Sequence, residues 1–437
     1  VYYQGEEGAG LCQTEQKLPF TKTLELPEFT FTAWTAVVEG QTEYLNSRVV
    51  NPRRMEIRGA VGLVATVRTQ SKAEVITALA DGGIEQQLDI LQGVRSIAVM
   101  DKLITAEGEI TFPGTPAAVL DIAGTATVRE VRLLAGKAVV KGEVQVQCAW
   151  RAEQEAELQN LGTTLPFQQV LDVDGLTEDC KCLCVMESVG FSLAEGAQDA
   201  ASTLSASLML HLRAWRSYQL QYAADAFSTR FETELTPQEL AAEELICMLN
   251  TTAAISGSGP LPDAEAQLRA CFVSYGPAHI APQGSGWALM ARATATAFAE
   301  NSLGELESYE KTLDLAVPIP AEIPDGMELQ PECWLSTDSV QCTCTGGALT
   351  VNITVRAEGA ILGRRVRQGI GSITLGEALT PADPEIALRI YYAQAGEALF
   401  DIARRFHVPP AQMLAANGLE PDTRVLTQAQ HFLVPGI

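Results

Sequence analysis

The sequence predicts a mainly β protein: repeated antiparallel β-sandwich-like domains followed by a small α+β module of βααβ order. Three observations predict it. Apolar residues alternate with polar ones through most of the first 375 positions, the period-2 signature of half-buried antiparallel strands. Sequence elements recur at a spacing of roughly 150 residues, which marks a domain-sized repeat and not a solenoid unit. From Leu388 onward the apolar spacing changes to that of short helices between two strands.

The strands are legible one by one. Between Glu143 and Trp150 the apolar residues Val144, Val146, Cys148 and Trp150 alternate with polar ones. Leu204, Ala206, Leu208, Leu210 and Leu212 share one face, with Ser205, Ser207 and His211 on the other, and Leu349, Val351, Ile353 and Val355 repeat the pattern. The stretch Gly136–Val144 returns, degraded, as Gly286–Ala293, and Leu18-Pro19-Phe20 returns as Leu165-Pro166-Phe167. These correspondences predict a partial β domain over 1–80, complete ones over 81–228 and 229–378, and a Pro-containing linker over 379–387. Pro381 and Pro384 make the linker stiff and extended. Superposing the copies sets Val1-Tyr2-Tyr3 opposite Cys148-Ala149-Trp150, so the chain is expected to open inside a strand, with the first half of one repeat missing.

Composition narrows the function classes. With 54 acidic against 30 basic residues the net charge is -24, which repels nucleic acid and anionic lipid. The C-terminal module is neutral: Arg389, Arg404, Arg405 and Arg424 balance Glu397, Asp401, Glu420 and Asp422. No apolar run approaches the ~18 residues of a membrane span. The ten cysteines are too sparse for a disulfide-stapled secreted domain; they read as mostly reduced thiols of a cytoplasmic protein.

Residues 388–437 form the terminal module. Ile390 to Ala393 is the first strand, and Gly396 permits the turn into helix one. Leu399, Ile402, Ala403 and Phe406 have helical spacing and face a small core. Pro409 and Pro410 start helix two, Met413 and Leu414 pack beneath it, and Asn417-Gly418 ends it. Phe432 to Val434 is the returning strand.

This pattern resembles a LysM module, and the β repeats resemble the SPOCS domain. The residues carrying the second resemblance are Lys137 to Trp150, Leu165-Pro166-Phe167 with Gln168, Gln169 and Val170, and Leu204 to Leu212 leading to Asp225-Ala226-Phe227-Ser228-Thr229. Such repeats followed by a LysM are the layout of SipL-type spore-coat morphogenetic proteins. The resemblance implies a non-enzymatic scaffold without cofactors, in the mother-cell cytoplasm at the forespore surface, its LysM docking on the spore-coat-anchoring ATPase or another coat protein. The alternative is a cell-wall protein whose LysM recognises N-acetylglucosamine of peptidoglycan. In either case the resemblance implies a groove of Ala395, Gly396, Glu397, Ala398, Leu399 and Phe400 facing Asn417, Gly418, Leu419, Glu420 and Pro421. The family's usual Gly-Asp-Thr or Gly-Asp-Ser is Gly396-Glu397-Ala398 here, which removes a hydroxyl cap of about 1 kcal/mol and a polar contact to sugar, and favours a protein ligand. Leu399 and Phe406 read as core; Phe400 fits core and groove equally.

The remaining candidates point away from catalysis. His211, His279, His407 and His431 have no Cys or His at zinc spacing. Cys180, Cys182 and Cys184, with Cys342 and Cys344 as further ligands, suit a soft metal less well than they suit buried small hydrophobes, because a strand holds i, i+2 side chains about 7 Å apart. Glu243-Glu244 and Glu153 with Glu157 read as solvated faces on helical or loop segments. Ser256-Gly257-Ser258-Gly259-Pro260 lacks the lysine of a phosphate loop and reads as a turn or linker.

Overall fold

The structure, a computed structural model, describes residues 2–4, 11–14, 16, 18–25, 33–70, 72–80, 83–152, 159–194, 201–324, 326–380 and 388–435. The first strands are β1 (Tyr2–Gln4), β2 (Leu11–Gln13), β3 (Ala33–Asn51) and β4 (Arg54–Gln70), paired antiparallel as β1–β2 and β3–β4. They are followed by β5 (Ile84–Thr111), β6 (Pro116–Leu134), β7 (Lys137–Ala152), β8 (Gln159–Asp172), β9 (Lys181–Leu193) and β10 (Ala201–Ser228). These make sheets of order β5-β10-β9 and β6-β7-β8.

The same plan then recurs. Strands β11 (Phe231–Pro260), β12 (Gln267–Tyr275), β13 (His279–Gln283), β14 (Gly286–Glu300), β15 (Leu306–Pro318), β16 (Glu328–Thr345) and β17 (Ala348–Ala378) follow. Order β11-β17-β16 answers β5-β10-β9, and β14 between β15 and the pair β12 and β13 answers β7 between β8 and β6. The β3–β4 hairpin answers β9–β10 in turn. The recurrence read from Gly136–Val144 and Gly286–Ala293 is thus a recurrence of topology.

Contacts divide the chain into two units. One comprises 1–70, 94–217 and 244–363, and its two cores follow the period-2 faces. In the first, Val140, Val144, Val146, Cys148 and Trp150 of β7 meet Leu204, Ala206, Leu208, Leu210 and Leu212 of β10. Every one of them is buried because alternate side chains of a strand share a face. Each such Leu or Val contributes about 1.5–3 kcal/mol by leaving water. In the second core, Leu289, Ala291, Ala293, Ala295, Ala297 and Ala299 of β14 meet Leu349, Val351, Ile353 and Val355 of β17.

The other unit comprises 71–93, 218–243 and 364–437. Segment 72–80 is threaded by backbone bonds, Ile76 N–H to Ile370 O and Ala223 N–H to Ile76 O, both 2.8 Å. Ile76, Leu79, Ile84 and Leu88 pack there around Ala223, Ala226 and Ile370. The predicted repeat junctions near 80, 228 and 378 all fall in the segments of this unit, as does the terminal module. Residues 381–387 of the expected linker and Glu153 and Glu157 lie outside the described residues.

Two expectations are corrected. Ser256–Pro260 is the end of β11 and not a turn or linker; a Cβ at Gly257 would meet the end of the Leu313 side chain of β15. Glu243 and Glu244 are half-buried on the same strand and not on a helix or loop, since Leu240, Ala242, Leu245 and Leu249 around them supply apolar packing.

Candidate functional site

The terminal module is β18 (Leu388–Ala393), α1 (Leu399–Phe406), α2 (Pro410–Asn417) and β19 (Gln430–Pro435). The strands pair antiparallel, Ile390 opposite Leu433 and Tyr391 opposite Phe432. Leu399, Ile402 and Ala403 of α1, Met413 of α2 and Phe432 and Val434 of β19 form the buried core. Phe406 is half-buried beside it, its ring edge-on to Tyr391 at 5.5 Å. Gly396 (φ 88) makes the turn out of β18 and Gly418 (φ 61) the left-handed cap of α2, conformations that glycine adopts without a Cβ clash. Ala398, the N-cap of α1, makes no side-chain cap bond.

The first expected binding loop is bonded to the segment that follows the second. Gly396 N–H donates to Leu426 O at 2.8 Å, Leu426 N–H to Glu397 O at 3.0 Å, and Leu399 N–H to Arg424 O at 2.8 Å. The turn Thr423 N–H to Glu420 O then leads back to Leu419. Ala395, Gly396, Gly418, Glu420 and Pro421 are exposed; Glu397, Ala398, Phe400, Asn417 and Leu419 are half-buried; Leu399 is in the core. An open depression of about 580 Å³ lies on Gly396, Glu397 and Ala398, bounded by Asp401, Arg404 and Arg405 of α1.

Two of the polar side chains expected in the groove, Glu397 and Asn417, bond within the module. Glu397 Oε1 accepts from Tyr391 Oη and Oε2 from Gln394 N–H, both at 2.8 Å. The Gln394 amide, then the Tyr391 hydroxyl, with Arg405 adding its charge, hold the Glu397 carboxyl below its ordinary range. Asn417 Nδ2 donates to Met413 O and Leu433 O, and its Oδ1 accepts from Leu433 N–H, at 2.7–2.8 Å. Glu397 therefore braces the first turn, and Asn417 latches α2 to β19.

Sequence reasoning missed how α1 is seated. Phe227 of β10 is fully buried, with the Phe400 ring edge-on to it at 5.3 Å. Arg404 donates to Asp225 at 2.6 Å, and His407 Nδ1 lies 3.0 Å from Ser228 O. His407 is the left-handed cap residue of α1 (φ 51). The signal was present in Asp225-Ala226-Phe227-Ser228, but only as part of a repeat resemblance.

The other singled-out side chains are structural. Burial pushes the Cys182 and Cys184 thiols up to about 12, and Cys184 lies in the first core. His211 is inside a polar cluster, its Nδ1 2.8 Å from Asp101 and its ring 4.9 Å from that of Trp334. Beside it buried Arg213 donates to Glu332 at 2.5 Å and to Asp101 at 2.8 Å, while Arg68 donates to the other Glu332 oxygen at 2.8 Å. Among the described residues no group of three or more His, Cys, Asp or Glu is arranged to hold a metal, and no helix is long and apolar enough to cross a membrane.

Comparison with known families places this geometry. Residues 117–191, β6 to β9, match the SipL, SPOCS domain, and residues 391–427 match the LysM domain. No curated protein and no solved structure matches the chain. The chain contains a SPOCS domain and a C-terminal LysM domain, both of non-catalytic families, and is a non-enzymatic, multi-repeat interaction scaffold.

Proposed function

We propose that the chain is a scaffold of spore-coat assembly in which the LysM groove docks on a protein, the spore-coat-anchoring ATPase or another coat protein. The β domains set the spacing and offer further sheet surfaces for assembly. Its place is the mother-cell cytoplasm at the forespore surface. One observation carries the choice of a protein ligand over a glycan: the loops keep Glu397 and Asn417 engaged inside the module. Exposed in the two loops are Ala395, Gly396, Gly418 and Pro421, with Glu420 as the exposed carboxylate. A small-ligand site fixes orientation with precisely placed polar groups, and with Glu397 and Asn417 engaged inside the module the loops' side chains supply few of them.

The test compares Ala395→Arg and Pro421→Arg with the parent chain in capture of the purified ATPase. Both positions are exposed, so the fold survives and only docking is lost. Undiminished capture by both variants, or sedimentation of the parent with peptidoglycan and not with the ATPase, overturns the reading. Deleting the module is the poorer test, because it uncovers Phe227.

A further inference from the structure

Strands of the unit made by 1–70, 94–217 and 244–363 enclose a cleft that the scaffold reading does not use. Its volume is about 340 Å³, a size suited to a small molecule. Much of its lining is apolar: Val37 and Val38 of β3, Val64 of β4, Pro277 after β12, and Trp334 and Leu335 of β16. Val38 and Val64 are more than half exposed, so this apolar surface is left to water. The charged or titratable side chains in the lining are Asp101 of β5, Glu187 of β9 and His211 of β10. An apolar cavity with a few convergent polar groups is the usual form of a small-ligand site.

The charges around the cleft do not pair evenly. Arg213 donates to Glu332 and Asp101, and Arg68 donates to Glu332, so these two cations and two carboxylates cancel. His211 places Nδ1 2.8 Å from Oδ1 of Asp101, the oxygen that Arg213 already uses. Its Nε2 lies 3.5 Å from Glu187 Oε2. Glu187 thus faces the cleft with the imidazole as its neighbour, and its side chain is 63% exposed. With the imidazole neutral, this group of described side chains carries one unmatched negative charge, on Glu187.

We propose that this cleft is a binding site for a small organic amine, whose ammonium pairs with Glu187 and whose apolar body lies against Trp334, Pro277, Val38 and Val64. The ammonium supplies the cation that Glu187 lacks, and the body takes exposed apolar surface out of water. Asp101 is not the anchor, because its Oδ1 already accepts from Arg213 and His211. An acid of the same shape meets Glu187 with like charge, and a neutral molecule leaves the carboxylate unmatched. The net charge of -24 draws cations toward the chain in general, so selectivity for this cleft rests on the one carboxylate and the apolar walls together.

The experiment titrates the full chain calorimetrically with phenethylamine and, separately, with hydrocinnamate, which carries the same ring on a short chain ending in a carboxylate. The expected result is saturable binding of the amine at one site, with a Kd of about 1 mM or tighter, and binding of the acid about tenfold or more weaker. Glu187→Gln keeps the shape and removes the charge, and it weakens the amine about fivefold. The position is exposed, so the melting curve stays that of the parent. Val38→Arg sets a cation of the chain's own at the cleft and also weakens the amine, which keeps the test decisive should Glu187→Gln fold poorly. Absence of saturable binding by the amine, equal affinity for the amine and the acid, or amine binding undiminished in both variants overturns the proposal; the last of these marks attraction by the net charge alone.

Discussion

The Phe400 ring of α1 meets the Phe227 ring of β10 edge-on, with centroids 5.3 Å apart. Phe227 stands in the core of the LysM module, beside Leu399 and Ile402, although it lies far from them in sequence. With the Arg404–Asp225 pair and the His407 contact to Ser228, this seats the module on the last residues of a β-domain strand. The module is a docked part of its unit and not a bead on a free tether.

Phe227→Ala therefore loosens a domain other than its own strand. A buried Phe→Ala change costs about 3–5 kcal/mol, and a double-mutant cycle with Phe400→Ala isolates about 0.5–1.5 kcal/mol for the ring pair. Hydrogen exchange by mass spectrometry reads this as faster exchange over 388–435. Exchange there unchanged from the parent contradicts the seating.

Asn417→Ala removes three bonds at once and leaves the Leu433 N–H and C=O without their partner. Stranding buried polar groups costs about 1–3 kcal/mol, so the module's melting midpoint falls by several degrees. Asn417→Asp restores the acceptor and not the two donors, and is expected between the two. A Leu433 amide that keeps its exchange protection in Asn417→Ala counts against the latch.

Arg213 and Glu332 are both buried and sit 2.5 Å apart. Removing Glu332 leaves the buried Arg213 charge to the part-exposed Asp101 and costs up to about 3–5 kcal/mol, while replacing both Arg213 and Glu332 with apolar residues is milder. Urea unfolding should rank Glu332→Leu below the Arg213→Met, Glu332→Leu double variant. The reverse order refutes the pairing as the reason these charges are tolerated.

His211 gives this region a pH dependence of definite sign. Burial by itself lowers its pKa, but the hydrogen bonds its protonated ring donates to the Glu187 and Asp101 carboxylates outweigh that and raise it above the ordinary 6.5. A raised pKa means that the folded protein holds the proton more tightly. The stabilisation is complete below pH 6.5 and fades as pH rises through the folded value. Urea midpoints measured from pH 6 to pH 9 should fall in the parent and stay flatter in His211→Gln; identical slopes would remove His211 as the cause.

Strand faces, the domain repeat and the βααβ order were legible because each is written in local periodicity. Leu204–Leu212 and Leu349–Val355 alternate, and the spacing of Leu399, Ile402 and Ala403 fixes the buried face of α1. The ends of α2 were also legible, since Pro410 and Gly418 act on the backbone within a residue or two. What periodicity could not show was partnership at a distance. His211 reads as part of a polar face, and Arg213 shares it, but Glu332 and Trp334 of β16 cover it. Glu397 and Asn417 read as groove residues through the family resemblance, which does not show that Tyr391 and Leu433 lie within reach and take their hydrogen bonds. Phe400 fitted core or groove equally, and only the placement of Phe227 shows its neighbour.

The most direct test of the docking claim is an isothermal titration of the purified spore-coat-anchoring ATPase with the full chain, the parent against Pro421→Arg. The account predicts saturable binding by the parent and at least a tenfold weaker Kd for the variant, about 1.4 kcal/mol, with the melting curve unchanged. Equal affinity of parent and variant for the ATPase would contradict it.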